Sequence, residues 1–149
     1  EGNLWLGMRG TGLRIGADKW YKNNSKDPNS LSNDQVFSIY RDRKGRMWLG
    51  TFGGGLNLAV KTKDGYQFRH FLQDNYGEKR IRVIEEDKNG RMWVGTNNGI
   101  YIFHPDSLIA SPENYIIYNH VNGTFPNNEI RCLMNDHEGL AVDVHDDAV

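Results

Sequence analysis

Cysteine is almost absent from this chain. A single residue, Cys132, rules out an internal disulfide framework and any cysteine-rich zinc site, and by itself it reads as a small core side chain. An excess of one charge is missing as well: 18 Lys and Arg against 19 Asp and Glu leave a formal charge of -1. No global field therefore draws in nucleic acid or an anionic membrane surface. No apolar run approaches the ~20 residues of a bilayer-crossing helix, and the opening EGNLWLG lacks the basic and then apolar segments of a secretory signal. Neither nucleic-acid binding nor a membrane segment is expected. Helical periodicity over about ten residues is also missing, which removes ankyrin and tetratricopeptide arrays and the crossovers of a Rossmann fold.

Glycine and aromatics are plentiful: 17 Gly, with 4 Trp, 7 Tyr and 6 Phe in 149 residues. That combination belongs to a turn-rich β protein, and the length suits one domain. Internal repetition organises it. VFSIYRDRKGRMWLGTFGGGLNL, residues 36–58, aligns with IRVIEEDKNGRMWVGTNNGIYIF, residues 81–103, with one residue fewer in the glycine turn. Asp42 matches Asp87, Gly45 matches Gly90, Trp48 matches Trp93, and Gly50 and Thr51 match Gly95 and Thr96.

Two partial copies flank the whole ones. GNLWLGMRGTGL sets Gly2, Trp5, Gly7, Gly12 and Leu13 in register with Gly45, Trp48, Gly50, Gly55 and Leu56, and has lost its first strand. IRCLMNDHEG supplies Ile130, Leu133, Asp136 and Gly139, after which LAVDVHDDAV contains neither Trp nor Gly-Thr.

Each unit reads as four short strands. The inner strand is residues 36–40, 81–85 or 130–134, and an Asp-to-Gly hairpin turn follows, because Asp bonds the turn amides and Gly accepts the left-handed conformation. The second strand carries Trp48 or Trp93, the third runs over 56–60 or 100–103, and the outer strand over 66–71 or 115–118. Polar connectors cover 21–35, 72–80 and 119–129. An indole at one place in every unit is a spacer packed between adjacent sheets. The expected fold is all-β: four-stranded antiparallel β-propeller blades, about three blade equivalents in one partial domain. Its boundaries are a half blade at 1–30, blades at 31–75 and 76–120, and a half blade at 128–149.

At DRKGRMWLGTFGGGL and DKNGRMWVGTNNGI the chain resembles the two-component regulator propeller repeat: Asp, Gly, an apolar residue, Trp, Gly-Thr, a short Gly turn, then Leu or Ile. The resemblance implies the periplasmic sensor region of a bacterial hybrid two-component protein, responsive to oligosaccharides from polysaccharide breakdown. Neither a kinase core nor enough blades for a whole sensor are present in these residues.

Catalysis finds no support in the sequence, and no cofactor is expected. Gly10, Gly12 and Gly16 approach a dinucleotide fingerprint, and Gly53 to Gly55 a phosphate cradle, but no helix follows either. His70, His104, His120, His137 and His145 lack metal-ligand spacing, and NDHE at 135–138 with DVHDD at 143–147 is too weak a pattern for a metal site. Glu85 and Glu86 are adjacent on a strand and point to opposite faces, so they are no acid/base pair.

Binding fits better. One mouth of a propeller combines the connectors entering the inner strands with the turns between second and third strands. Candidate ligand residues there are Arg9, Phe52, Tyr76, Arg80, Asn97, Asn98, Asn128 and Glu129, a set of aromatic faces and directional polar groups suited to sugars. The structural positions of the repeat are Trp5, Asp42, Gly45, Trp48, Gly50, Thr51, Asp87, Gly90, Trp93, Gly95, Thr96, Asp136 and Gly139. Three blades do not close a ring. Joining DHEG to NLWLGMRGTGL restores a whole repeat, so self-association by blade completion, or further blades of a longer parent, is expected. The leading function is a noncatalytic sensor propeller segment. A protein-interaction scaffold without a small ligand is the alternative, and a propeller lyase ranks below both.

Overall fold

Short runs of alternating apolar residues, broken every few positions by glycine or Asp-to-Gly turns, leave this chain little but short strands to form. The computed structural model describes residues 2–122, 129–135 and 140–144. The first sheet is β1 (Trp5–Met8), β2 (Gly12–Ile15) and β3 (Lys19–Tyr21). The second is β4 (Val36–Arg41), β5 (Met47–Thr51), β6 (Leu56–Thr62) and β7 (Gly65–Phe71). The third is β8 (Ile81–Glu86), β9 (Met92–Thr96), β10 (Gly99–Phe103) and β11 (Ile116–Tyr118), and the fourth is β12 (Ile130–Asn135) with β13 (Leu140–Val144).

Within each sheet sequential strands pair antiparallel, and the sheets are β-propeller blades, the outermost two being part-blades. Inner strands β4, β8 and β12 succeed one another around a common centre, and β1 leans on β4. A short helix not foreseen from the sequence, α1 (Pro105–Ala110), interrupts the third blade between β10 and β11. Proline begins it at a position where a missing N–H costs nothing, and Leu108 anchors it in the core.

Strand alternation decides which neighbour each side chain meets. On β5, Trp48 points toward the third blade and Leu49 toward the first; on β9, Met92 and Val94 point back to the second blade and Trp93 on to the fourth. Three apolar clusters result, one per blade junction. Between the second and third blades Trp48, Leu58 and Phe71 meet Ile84, Met92, Tyr101 and Phe103. Between the first and second, Leu13, Ile15 and Leu31 meet Val36, Leu49 and Phe68, with the Trp5 ring edge-on to Tyr66 at 5.0 Å. Between the third and fourth, Ile100 and Ile102 meet Ile130 and Leu133.

The repeated residues hold each blade in one way. Asp42 Oδ1 accepts the Lys44 and Arg46 amides, both at 3.0 Å, and Oδ2 accepts the Trp48 indole N–H at 2.9 Å and Arg46 Nε at 2.6 Å. Asp87 repeats this with Asn89, Arg91 and Trp93. The sequence identifies the turn bonds but not the indole bond, which makes Asp and Trp one unit. Gly45 and Gly90 adopt φ of 84° and 80°, as the hairpin requires.

Gly50 has a different reason. A Cβ there would meet Ser38 Oγ of its own inner strand and stand 2.5 Å from Ile81 Cγ2 of the next blade, and at Gly95 it would stand 2.7 Å from Val83 Cγ1 and 2.8 Å from Ile130 Cγ2. This glycine is a socket for the neighbouring inner strand. The following threonine hydroxyl donates across the β5–β6 turn, Thr51 Oγ1 to the Gly55 carbonyl at 2.8 Å, and Thr96 does the same to Gly99 at 2.9 Å. Asp136, Gly139, His137, His145 and the Cys132 side chain lie outside the described residues.

Candidate binding face at the propeller mouth

The inner strands share an irregularity that builds this face. Their pairing with the second strand skips one residue, from Val36 to Ser38, from Ile81 to Val83 and from Ile130 to Cys132. The skipped residues, Phe37, Arg82 and Arg131, occupy one repeat position, and a bulge re-aims the side chain it leaves unpaired. Phe37 meets Arg9, four places after Trp5, and Arg82 meets Phe52, four places after Trp48, as well as Asn97, four places after Trp93.

A continuous row follows. The Arg9 guanidinium lies 4.5 Å above the Phe37 ring, and Phe37 stacks on Phe52 at 4.7 Å and 8° from parallel. Arg82 lies 5.0 Å and Arg80 5.6 Å from the Phe52 centroid, and Arg80 sits 3.4 Å over Tyr76. Arg82 Nε donates to Asn97 Oδ1 at 3.3 Å, and its Nη2 pairs with Glu129 at 2.9 Å, which Arg131 Nε also approaches at 3.6 Å. Backbone bridges Arg9 to Gln35 and Phe52 to Arg80 tie the turns to the next blade's connector.

The structure thus brings together Arg9, Phe52, Tyr76, Arg80, Asn97 and Glu129 from the sequence-derived set. Asn98 turns inward instead, donating to the Tyr101 hydroxyl at 2.7 Å, which in turn donates to buried Glu78 at 2.7 Å. Burial pushes the Tyr101 phenol up; hydrogen bonds from Asn75 and Asn98 oppose this, while Glu78 adds to it. Asn128 lies outside the described residues. Phe37, Arg82 and Arg131 escape the sequence reading, although VFS, IRV and IRC carry them in register; a bulge cannot be seen from composition.

One chemical expectation changes. Phe37 and Phe52 stack on each other and each has a guanidinium group within about 5 Å of its centroid, so their faces are engaged within the row rather than left free for a sugar. Tyr76, 74% exposed, is the ring in the row with free surface. A concavity of about 430 Å³ between β10, α1 and β11 contains none of these residues. Among the described residues no cluster of His, Cys, Asp and Glu is arranged to hold a metal ion. Glu85 and Glu86 serve structure: burial, then the Glu85 and Glu86 charges, push Tyr40 up to about 12, while Glu86 pairs with Arg43 of the second blade at 3.3 Å.

Residues 30–53 and 75–98 match the two component regulator propeller family, starting and stopping at the same repeat positions in the two whole copies. The chain also superposes, over 97% of its length, on solved structures from B. thetaiotaomicron. One is described as the extracellular domain of the one component system BT4673, with a TM-score of 0.78 and 25% identity. Another is described as the extracellular domain of the hybrid two component system BT3049, with a TM-score of 0.74 and 22% identity. A further BT4673 structure, described as that of a hybrid two component system, gives 0.76 and 24%. The chain spans about a fifth of the length of these structures, 21%, 18% and 21% respectively. No curated protein matches it.

Proposed function

We propose, from the premise that residues 30–53 and 75–98 are two-component regulator propeller repeats, that this chain is a noncatalytic part of an extracytoplasmic sensor propeller. In this reading it lies in the periplasm, associates with further blades, and binds an oligosaccharide released from a polysaccharide. The carrying observation is the row from Arg9 to Arg131, in which the same two repeat positions of successive blades converge on one face. A ligand lying along it touches several blades at once. Signalling then follows if the ligand binds one packing arrangement of blades or partners more tightly than another, since only a difference in affinity shifts an equilibrium.

Titration calorimetry of the chain against oligosaccharides from several polysaccharide classes tests this. Saturable binding of one class is expected, weakened about tenfold by Tyr76→Ala, a loss near 1.4 kcal/mol. Absence of binding by every class would overturn the sensor reading in favour of a protein-interaction scaffold.

A further inference from the structure

The mouth is charged although the chain is not. Arg9, Arg80, Arg82 and Arg131 stand along the row with Glu129, whereas the whole chain carries a formal -1. Glu129 engages Arg82 and Arg131. Arg9 and Arg80 have no carboxylate partner among the described residues; Arg80 Nη1 donates to the Tyr76 carbonyl at 3.0 Å. Carboxylates on the adjoining connectors are used elsewhere: Asp34 accepts the Asn23 amide at 2.7 Å, Glu78 is buried in the Tyr101 network, and Asp74 lines a separate cavity with Glu113 and Tyr115.

Geometry sharpens the consequence. Arg9 lies 4.5 Å from the Phe37 centroid and Arg80 3.4 Å over Tyr76, so ring contacts already hold both side chains on this face and ordering them around an oxyanion costs little further entropy. Covered ring faces disfavour a neutral sugar that recognises by C–H stacking. Resting on the sensor reading above, we infer that the ligand is an anionic oligosaccharide, whose carboxylate or sulfate groups are taken by Arg9 and Arg80 while one sugar ring lies on the open face of Tyr76.

Calorimetry on the full chain separates the cases, using a galacturonic acid tetramer, the same tetramer with its carboxyls reduced to alcohols, a sulfated galactose tetramer, and tetraglutamate. One of the two acidic sugars is expected to bind at least tenfold tighter than the reduced tetramer, and which of them does so identifies carboxylate or sulfate as the group read. Arg9→Gln and Arg80→Gln should each remove fivefold or more of that preference, and Lys61→Gln, at an exposed position on β6, should leave it intact. Equal binding of acidic and reduced sugars would overturn the anionic assignment and leave the sensor reading standing. Tetraglutamate binding as tightly as the acidic sugars would overturn the carbohydrate part. No binding by any of these sugars would overturn the anionic assignment, and the sensor reading falls with it only if the wider panel of polysaccharide classes is unbound as well.

Discussion

The second and third blades carry the same motif with the same hydrogen bonds, yet their tryptophans live differently. Trp48 is fully buried between Phe71 of its own blade, at 5.8 Å, and Phe103 of the next, at 5.9 Å. Trp93 is half-buried beside β12 and β13, the two strands described for the fourth sheet. Their carboxylate partners follow: the Asp42 side chain has no exposure, Asp87 has 11%. Met92, facing the complete junction, is buried, whereas Met47, facing the three-stranded first blade, is not. The local motif therefore sets conformation and hydrogen bonding, and the neighbour sets the burial.

Replacing the indoles is the strongest way to break this contrast. Trp48→Ala should cost about 3–5 kcal/mol by emptying a buried site, and Trp93→Ala roughly half of that. Urea unfolding midpoints compare them, and equal losses would remove the neighbour from the explanation. Next comes the socket. Gly50→Ala drives a methyl into Ser38 and Ile81 and should cost about 1–3 kcal/mol, while Gly45→Ala, with nothing within 4 Å but a φ of 84°, meets only backbone strain of about 1 kcal/mol. Thermal melts of the two variants rank these penalties.

Acid titration sharpens the comparison further. Burial alone would raise Asp42, but the bonds from Trp48 and Arg46 outweigh it and hold the carboxyl below its ordinary value; Asp87 is lowered in the same way by Trp93 and Arg91. Stability from a carboxyl lowered on folding is complete above its unfolded pKa, about 3.9, and is lost as pH falls through the folded value. Asp42→Asn should therefore flatten the acid limb of stability below about pH 4, and Asp87→Asn less so, because its site is wetter. Denaturant midpoints from neutral pH downward read both.

The smallest effect is expected at α1. Asp106 pairs with Lys44 at 2.5 Å and Arg46 at 2.6 Å across the blade junction, and those bonds hold it at about 2. It is exposed, so Asp106→Asn should shift the melting temperature less than Asp42→Asn, with the shift fading in high salt.

Much of this was legible beforehand. Four-strand units, the Asp-to-Gly hairpins and the inter-blade role of Trp48 follow from spacing, because a strand's two-residue period and a turn's demand for positive φ are local properties. The helix at Pro105 and the tight packing at Gly50 are not, since they depend on the core that receives Leu108 and on Ile81 of the next blade, and the indole bond to Asp42 depends on a Trp48 rotamer that spacing does not reveal. The candidate face divides similarly. The sequence places Arg9, Phe52 and Arg80 on the candidate face by their positions in connectors and turns, whereas Phe37, Arg82 and Arg131 join it only through the bulge, and Asn98 turns to the Tyr101 hydroxyl.

By itself, then, the order of residues determined the blade: where strands begin, where the chain reverses, and which face of each strand is apolar. Tertiary structure alone decided which repeated residue is buried and which guanidinium caps which ring. Backbone preference acts over a few bonds, but burial and stacking arise only when separate blades are brought side by side.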